Sequence, residues 1–263
     1  MSTAAVMPAA RSLPKFGGFN LGMIKLELRR MLRNRRTVVF TFIMPAVFFL
    51  LFGTNSSSRN ESVGQGGNVT GYILISMAVY GAMLSTTSGG AMVSVERAAG
   101  WSRQLRLTPL KPIAYVAIKL VLAMIIGAAS VIVTTVVGAF SGAKLPMHAW
   151  LECIPLAWVC ALVFAAFGLF MGYLLPSENV MQILGPVLAV LSFAGGLFVP
   201  VDQLGHVFAT IAKFTPVYGV GELARYPLTH DGSLWVAILN VVVWTGIFSV
   251  GAMWRFRRDT ARV

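Results

Sequence analysis

The chain has 263 residues, is 57% hydrophobic and only 11% charged, and its mean hydropathy is +0.76. A soluble domain carries roughly 25% charged residues, so a water-solvated exterior is excluded and most of the surface must face lipid. The formal charge of +12 would suit a nucleic-acid binder only if the basic residues formed one face. They flank apolar runs instead, which makes them topology signals and argues against nucleic acid.

Residues 1–18 hold Ser, Pro, Gly and Ala without pattern and are expected to form a mobile tail ahead of one membrane domain spanning 19–263. The first long apolar run starts near Thr37, with no earlier apolar core and small-residue cleavage site, so no cleaved signal peptide is expected. Between Phe19 and Arg36, Leu21, Ile24, Leu28, Met31 and Leu32 recur at helical spacing, with Lys25, Arg29, Arg33 and Arg36 largely to one side. This pattern predicts an amphipathic helix lying in the headgroup plane, in contact with membrane lipid.

A bilayer-spanning helix needs roughly 20 mostly apolar residues. Six runs approach that length, at about 37–52, 71–95, 112–140, 150–175, 180–199 and 234–254. Their length and lack of period-2 alternation predict an all-α integral membrane protein with six transmembrane helices. Seventeen of the 21 Lys and Arg residues precede span one, lie between spans two and three or just inside span three, or follow span six. Basic residues collect on the cytoplasmic side, so both termini and the loop after span two are expected there, in a multi-pass protein of the cytoplasmic membrane.

The polar loop 54–70 is expected to be flexible and external. Its Asn68-Val69-Thr70 and two similar triplets fit the glycosylation pattern by coincidence. In span two, Gly81, Ser85 and Gly89 fall four apart, a spacing that lets helices approach closely. Ser85, Thr86, Thr87 and Ser88 make one half of this span polar, either for helix packing or as a wall of a translocation path. Lys119 would lie about 10 Å into span three, either snorkelling to the headgroups or contacting an anionic substrate or lipid head. Cys153 and Cys160 share one apolar run and read as small core residues. Pro200 to Gly232 is too short and too interrupted by proline for two spans. It suits a pair of short re-entrant helices between spans five and six, allowed where protein covers them. Glu222 and Arg225, three apart, can pair on one helix.

Enzyme chemistry finds little support. No Walker A sequence, nucleophile elbow or HExxH is present, and His148, His206 and His230 lie far apart. No bound cofactor or metal is expected. None of the nine acidic residues falls mid-span by these boundaries, which weakens a proton- or ion-coupled transporter.

In the loop after span two, Ala98, Trp101 and Leu105 can share a helix face that Pro109 ends. A short helix with an apolar ridge and basic flanks can dock into a cleft on a partner, or remain a solvated loop. Here Glu96-Arg97, Gly100, Leu105 and Thr108-Pro109-Leu110 resemble the coupling helix of ABC-2 type transporter permeases. Phe193 to Pro200 resembles that family's glycine-rich end of span five, and Thr215-Pro216-Val217-Tyr218, with Glu222 and Arg225, its segment before span six.

The resemblance implies a permease subunit without its own ATP site. It implies two separate P-loop ATP-binding subunits that hold ATP and magnesium, and a second permease, identical or homologous. A coupling helix at about 96–108 would offer Glu96, Arg97, Gly100, Trp101, Leu105 and Pro109 to the ATPase, with Glu96 in a charge pair. Phe193, Gly195, Gly196, Phe198 and Pro200 would form an outer gate. Size and motifs look closest to daunorubicin-type drug and antibiotic resistance exporters. Polysaccharide and glycolipid exporters share the architecture. An ATP-independent transporter and a non-transport scaffold are the other classes.

Overall fold

The structure is a computed structural model that describes residues 21–55, 58–100, 112–203 and 205–261. The tail 1–18 and the greater part of the 96–108 segment, with Trp101, Leu105 and Pro109, lie outside the described residues. The chain is built of helices, with one two-stranded ribbon.

Helix α1, Leu21–Arg33, is amphipathic as expected, and part of its apolar stripe meets protein: Ile24 and Leu28 pack on Ile118 and Leu122. A helical run over 35–54, here α2, follows after Asn34. It contains two wider π-helical stretches, Val39–Ile43 and Leu50–Thr54, on either side of Met44–Phe49. Pro45 is the cause of the first. It has no N–H to give the carbonyl four residues back, and that carbonyl, on Thr41, accepts the Ser130 hydroxyl at 2.6 Å instead.

Helix α3, Val69–Ala98, is 30 residues long, about 45 Å at 1.5 Å per residue. It exceeds the roughly 30 Å hydrocarbon core, so hydropathy alone underestimates where it ends. The later helices are α4 (Pro112–Phe140), α5 (Met147–Cys160), α6 (Leu162–Leu174), α7 (Ser177–Ala194), α8 (His206–Ala212), α9 (Pro216–Thr229) and α10 (Leu234–Ala261).

Among the described residues, four stretches are long and apolar enough to cross a bilayer: Val69–Ala98, Ala114–Phe140, Met147–Leu174 and Leu234–Arg258. The first and fifth expected spans correspond to the shorter apolar helices Val39–Thr54 and Gln182–Ala194. Span five stops at Ala194, not at residue 199, because Gly196 adopts φ +78° and turns the chain back. The two short helices expected between spans five and six are α8 and α9.

α3 is the axis of the fold. It packs most extensively on α4 and α6, and also touches α2, α5, α7 and α9. Within its apolar window 78% is buried, against 22% for α10, whose exposed Leu239, Val242 and Val250 suit a lipid-facing surface. Contact with α6 is close because both partners are small. A Cβ on Gly168 would lie 2.2 Å from the Thr87 carbonyl oxygen, and one on Gly90 would lie 2.6 Å from that of Ala165. Helices without a solvent-driven force between them associate through such approach.

The 54–70 loop is not free. Ser62–Val63 (β1) pairs antiparallel with Gly67–Asn68 (β2). Gln65 N–H donates to the Leu228 carbonyl at 2.9 Å. Asn68 caps α3 by accepting from Gly71 N–H at 2.8 Å, accepts from Lys144 N–H at 2.9 Å, and donates to the Gly142 carbonyl at 3.0 Å. Asn68 is buried, which rules out sugar attachment there.

The close approach of α3 and α6 sets an expectation. Gly168→Ala should lower stability by about 1–3 kcal/mol through overpacking. Gly185→Ala, whose Cβ would meet nothing within 4 Å, should leave the melting temperature in detergent unchanged or slightly raised.

Candidate functional site

Glu96 sits in the last turn of α3, which continues through residues expected to begin a separate helix. Its carboxylate points inward and is buried. Lys119 Nζ on α4 lies 2.5 Å from Glu96 Oε1 and 3.2 Å from Glu27 Oε2 on α1. Tyr115, one turn before Lys119 and on the same face, donates its hydroxyl to Glu96 Oε2. Arg30 Nη1 stands 3.9 Å from Glu96 and 4.0 Å from Glu27. Two carboxylates thus face one buried ammonium and one half-exposed guanidinium, and the middle of α1, the end of α3 and the early turns of α4 are tied at a single point.

Two expectations change here. Lys119 does not snorkel: it is 3% exposed and saturated by carboxylates. Glu96 is occupied by Lys119 and Tyr115, so it is not displayed for a charge pair with another subunit. The signal missed in the sequence was joint. Glu27 lies within the amphipathic segment, Glu96 at the end of span two and Lys119 inside span three, and none of them alone names its partners.

Arg97 takes the other side of the same turn, about 100° round the helix. Its guanidinium donates to the carbonyls of Gly172 at 3.3 Å and Tyr173 at 3.2 Å, and lies 5.5 Å from the Tyr173 ring centroid. These carbonyls belong to the C-terminal turn of α6, where a cation is favoured. Tyr173 in turn meets Phe256 of α10 edge-on at 5.7 Å. The Glu96-Arg97 pair therefore fastens the foot of α3 to α1 and α4 on one side and to α6 and α10 on the other. Gly100, at φ +72°, closes the helix; its N–H bonds the Arg97 carbonyl at 3.0 Å.

Against the opposite half of α3, five rings converge from three segments. Phe198 lies 4.7 Å from Phe193, 5.0 Å from Tyr80, and 5.8 Å from both Phe48 and Phe52. Phe48, Phe52 and Tyr80 were not singled out in the sequence. Gly195 is buried because a Cβ there would lie 2.5 Å from Val217 Cβ, and Pro200 is half-buried after the turn. Arg225 holds that turn. It is buried, donates to the Gly196 carbonyl at 2.9 Å and Ser76 Oγ at 3.3 Å, and pairs with Glu222 at 2.9 Å.

The polar stretch of α3 is engaged in packing. Ser85, Thr86 and Thr87 are fully buried in this chain. Thr86 donates to the carbonyls of Ala82 at 2.8 Å and Ala161 at 3.1 Å, and Thr87 to that of Phe164 at 3.3 Å. Ser85 bonds Gly81 O, and the half-buried Ser88 bonds Leu84 O. Thr86 and Thr87 face a helix contact. Among the described residues, no three His, Cys, Asp or Glu side chains are grouped to hold a metal.

The family model for ABC-2 type transporters matches residues 21–228, from the start of α1 to the end region of α9. The chain belongs to the ABC-2 type transporter family. It is also 28% identical over 241 residues to "Putative transport permease YvfS" of Bacillus subtilis (strain 168), an alignment covering 89% of this chain and 96% of that protein. The buried corner and the aromatic cluster are thus features of a transport permease.

Lys119→Met should strand two carboxylates and destabilise the protein by about 3–5 kcal/mol. The triple variant Glu27→Gln, Glu96→Gln, Lys119→Met should recover most of that loss. Thermal unfolding in detergent reads both.

Proposed function

We propose that this chain is the membrane subunit of an ATP-driven exporter, with six crossings and both termini cytoplasmic. It works with two P-loop ATP-binding subunits and a second permease, and moves a hydrophobic or amphipathic, drug-like or lipid substrate outward. The carrying observation is the Glu96–Arg97 corner. The segment after Ala98, proposed to contact the ATPase, is rooted in a point that grips α1, α4 and α6 directly and α10 through Tyr173. A pull on that segment is carried by several helices instead of one.

The charge distribution supports the orientation, because the corner lies at the end that collects most of the basic residues. ATP binding on the partners would draw the two coupling segments together. Tyr80 and Glu96 are on the same helix, about 24 Å apart along it, so tilting its foot displaces a member of the aromatic cluster. Phe193, Phe198 and the Gly195-Gly196 turn are then the proposed exit, closed by ring contacts in the present state. Nucleotide acts by preferring one of two packings, since a ligand shifts an equilibrium only by its differential affinity.

The test is co-expression with the ATPase encoded nearest this chain. The subunits should co-purify, and hydrolysis should drive solute movement in vesicles. The double variant Trp101→Ala, Leu105→Ala should insert at normal levels, keep hydrolysis, and lose at least tenfold of the transport. Solute movement by the permease alone without ATP would refute the assignment.

A further inference from the structure

α1 has a second face that the bundle does not use. Ile24, Glu27 and Met31 are buried against the protein, which turns Leu26, Arg29, Arg30 and Arg33 away from it. These four residues border an open surface depression of ≈ 370 Å³, with three arginines and no acidic member among the described residues. Arg29 and Arg33 have no acidic partner among the described residues. Leu26 is 71% exposed, so one large apolar side chain lies in the middle of an arginine cluster.

The level of this face in the membrane narrows what covers it. Ile24 packs on Ile118 and Leu122, which lie about 9 to 15 Å along α4 from Pro112. α1 is therefore beside the bundle near the depth of the buried corner, not hanging below it. A single residue, Asn34, separates it from α2, whose exposed apolar side chains begin at Val39 and Phe40. A face at that level meets the zone where phosphate groups sit above acyl chains. Guanidinium groups pair with phosphate oxygens in bidentate fashion, and clustered arginines beside a span attract anionic headgroups.

We infer that the outward face of α1 binds the phosphate of an anionic phospholipid, held by Arg29, Arg30 and Arg33, with Leu26 against its glycerol and upper acyl chain. Arg30 is shared between this site and the buried corner, where it stands 3.9 Å from Glu96 and 4.0 Å from Glu27. A bound phosphate competes with those carboxylates for it, which links lipid occupancy to the foot of α3.

The experiment uses the full-length permease without any ATPase, equilibrated in nanodiscs of equal parts phosphatidylglycerol and phosphatidylcholine, with retained lipid counted by native mass spectrometry. Wild type should retain phosphatidylglycerol in preference. Arg29→Gln with Arg33→Gln should cut that preference roughly tenfold or more at an unchanged melting temperature. Arg255→Gln with Arg258→Gln, an equal charge loss at the end of α10, should leave it intact. No preference in wild type, or an equal loss in both variants, overturns the site. Displacement of the lipid by millimolar inorganic phosphate would make free phosphate the ligand and also overturn it. So would an unchanged lipid preference in Arg29→Gln, Arg33→Gln. Retention is read on the permease alone, so its failure leaves the transport assignment standing.

Discussion

A protein interior offers a charge no water, so Glu27, Glu96 and Lys119 can be buried only together. Moving any one of them out of water alone costs several kcal/mol, and their mutual attraction offsets this only in close geometry. That constraint places α1, the end of α3 and the early turns of α4 in a single arrangement, with Lys119 between two carboxylates and Tyr115 filling the remaining acceptor. Apolar packing in lipid supplies little force to hold helices in register, because the tails are as apolar as leucine. Direction at this end comes instead from the ionic corner and from Arg97 on the carbonyls of α6.

The other end is organised by different means. There the chain is clamped by backbone bonds from the β1–β2 ribbon to the end of α9 and to the α4–α5 loop, and by Arg225 across the Gly195-Gly196 turn. Between the two ends runs α3, pressed on α6 at glycine contacts too close to admit a side chain. Such a helix is suited to move as a rod, because interdigitated cores have discrete packings rather than continuous flexibility. The aromatic rings around Phe198 are contacts that can part and reform without leaving a polar group unpaired, which suits a gate better than the charged corner would.

Hydropathy sufficed to place all six apolar segments, and the basic flanks marked the end at which the corner lies. The Glu222–Arg225 pair was legible because its partners are three residues apart on one helix. The corner was not, because Glu96 and Lys119 are separated by the whole loop between two spans, and Glu27 comes from a third helix. Helix α3 also outruns its apolar stretch, so Glu96 looked like loop when it is the last turn of a span. The stop at Ala194 turned on Gly196 taking a left-handed conformation, which a hydropathy window does not register. The fate of Ser85 to Thr87 depended on which helix lay opposite. Facing Gly168 and the α5–α6 junction, the hydroxyls of Thr86 and Thr87 cap carbonyls there, while Ser85 bonds Gly81 of its own helix.

The central claim is that nucleotide-driven movement at the foot of α3 reaches the aromatic end through the charged corner. Spin labels at Phe193 and Trp235, both exposed, report on that end within one chain, and Cys153 and Cys160 are buried away from the labelling reagent. The direct measurement is the distance between these labels in the permease–ATPase complex, with and without a non-hydrolysable ATP analogue. The account requires a nucleotide-dependent change of several ångströms in the otherwise wild-type protein, and its loss when Glu27, Glu96 and Lys119 are all neutralised although nucleotide still binds. The same change in both proteins would contradict it.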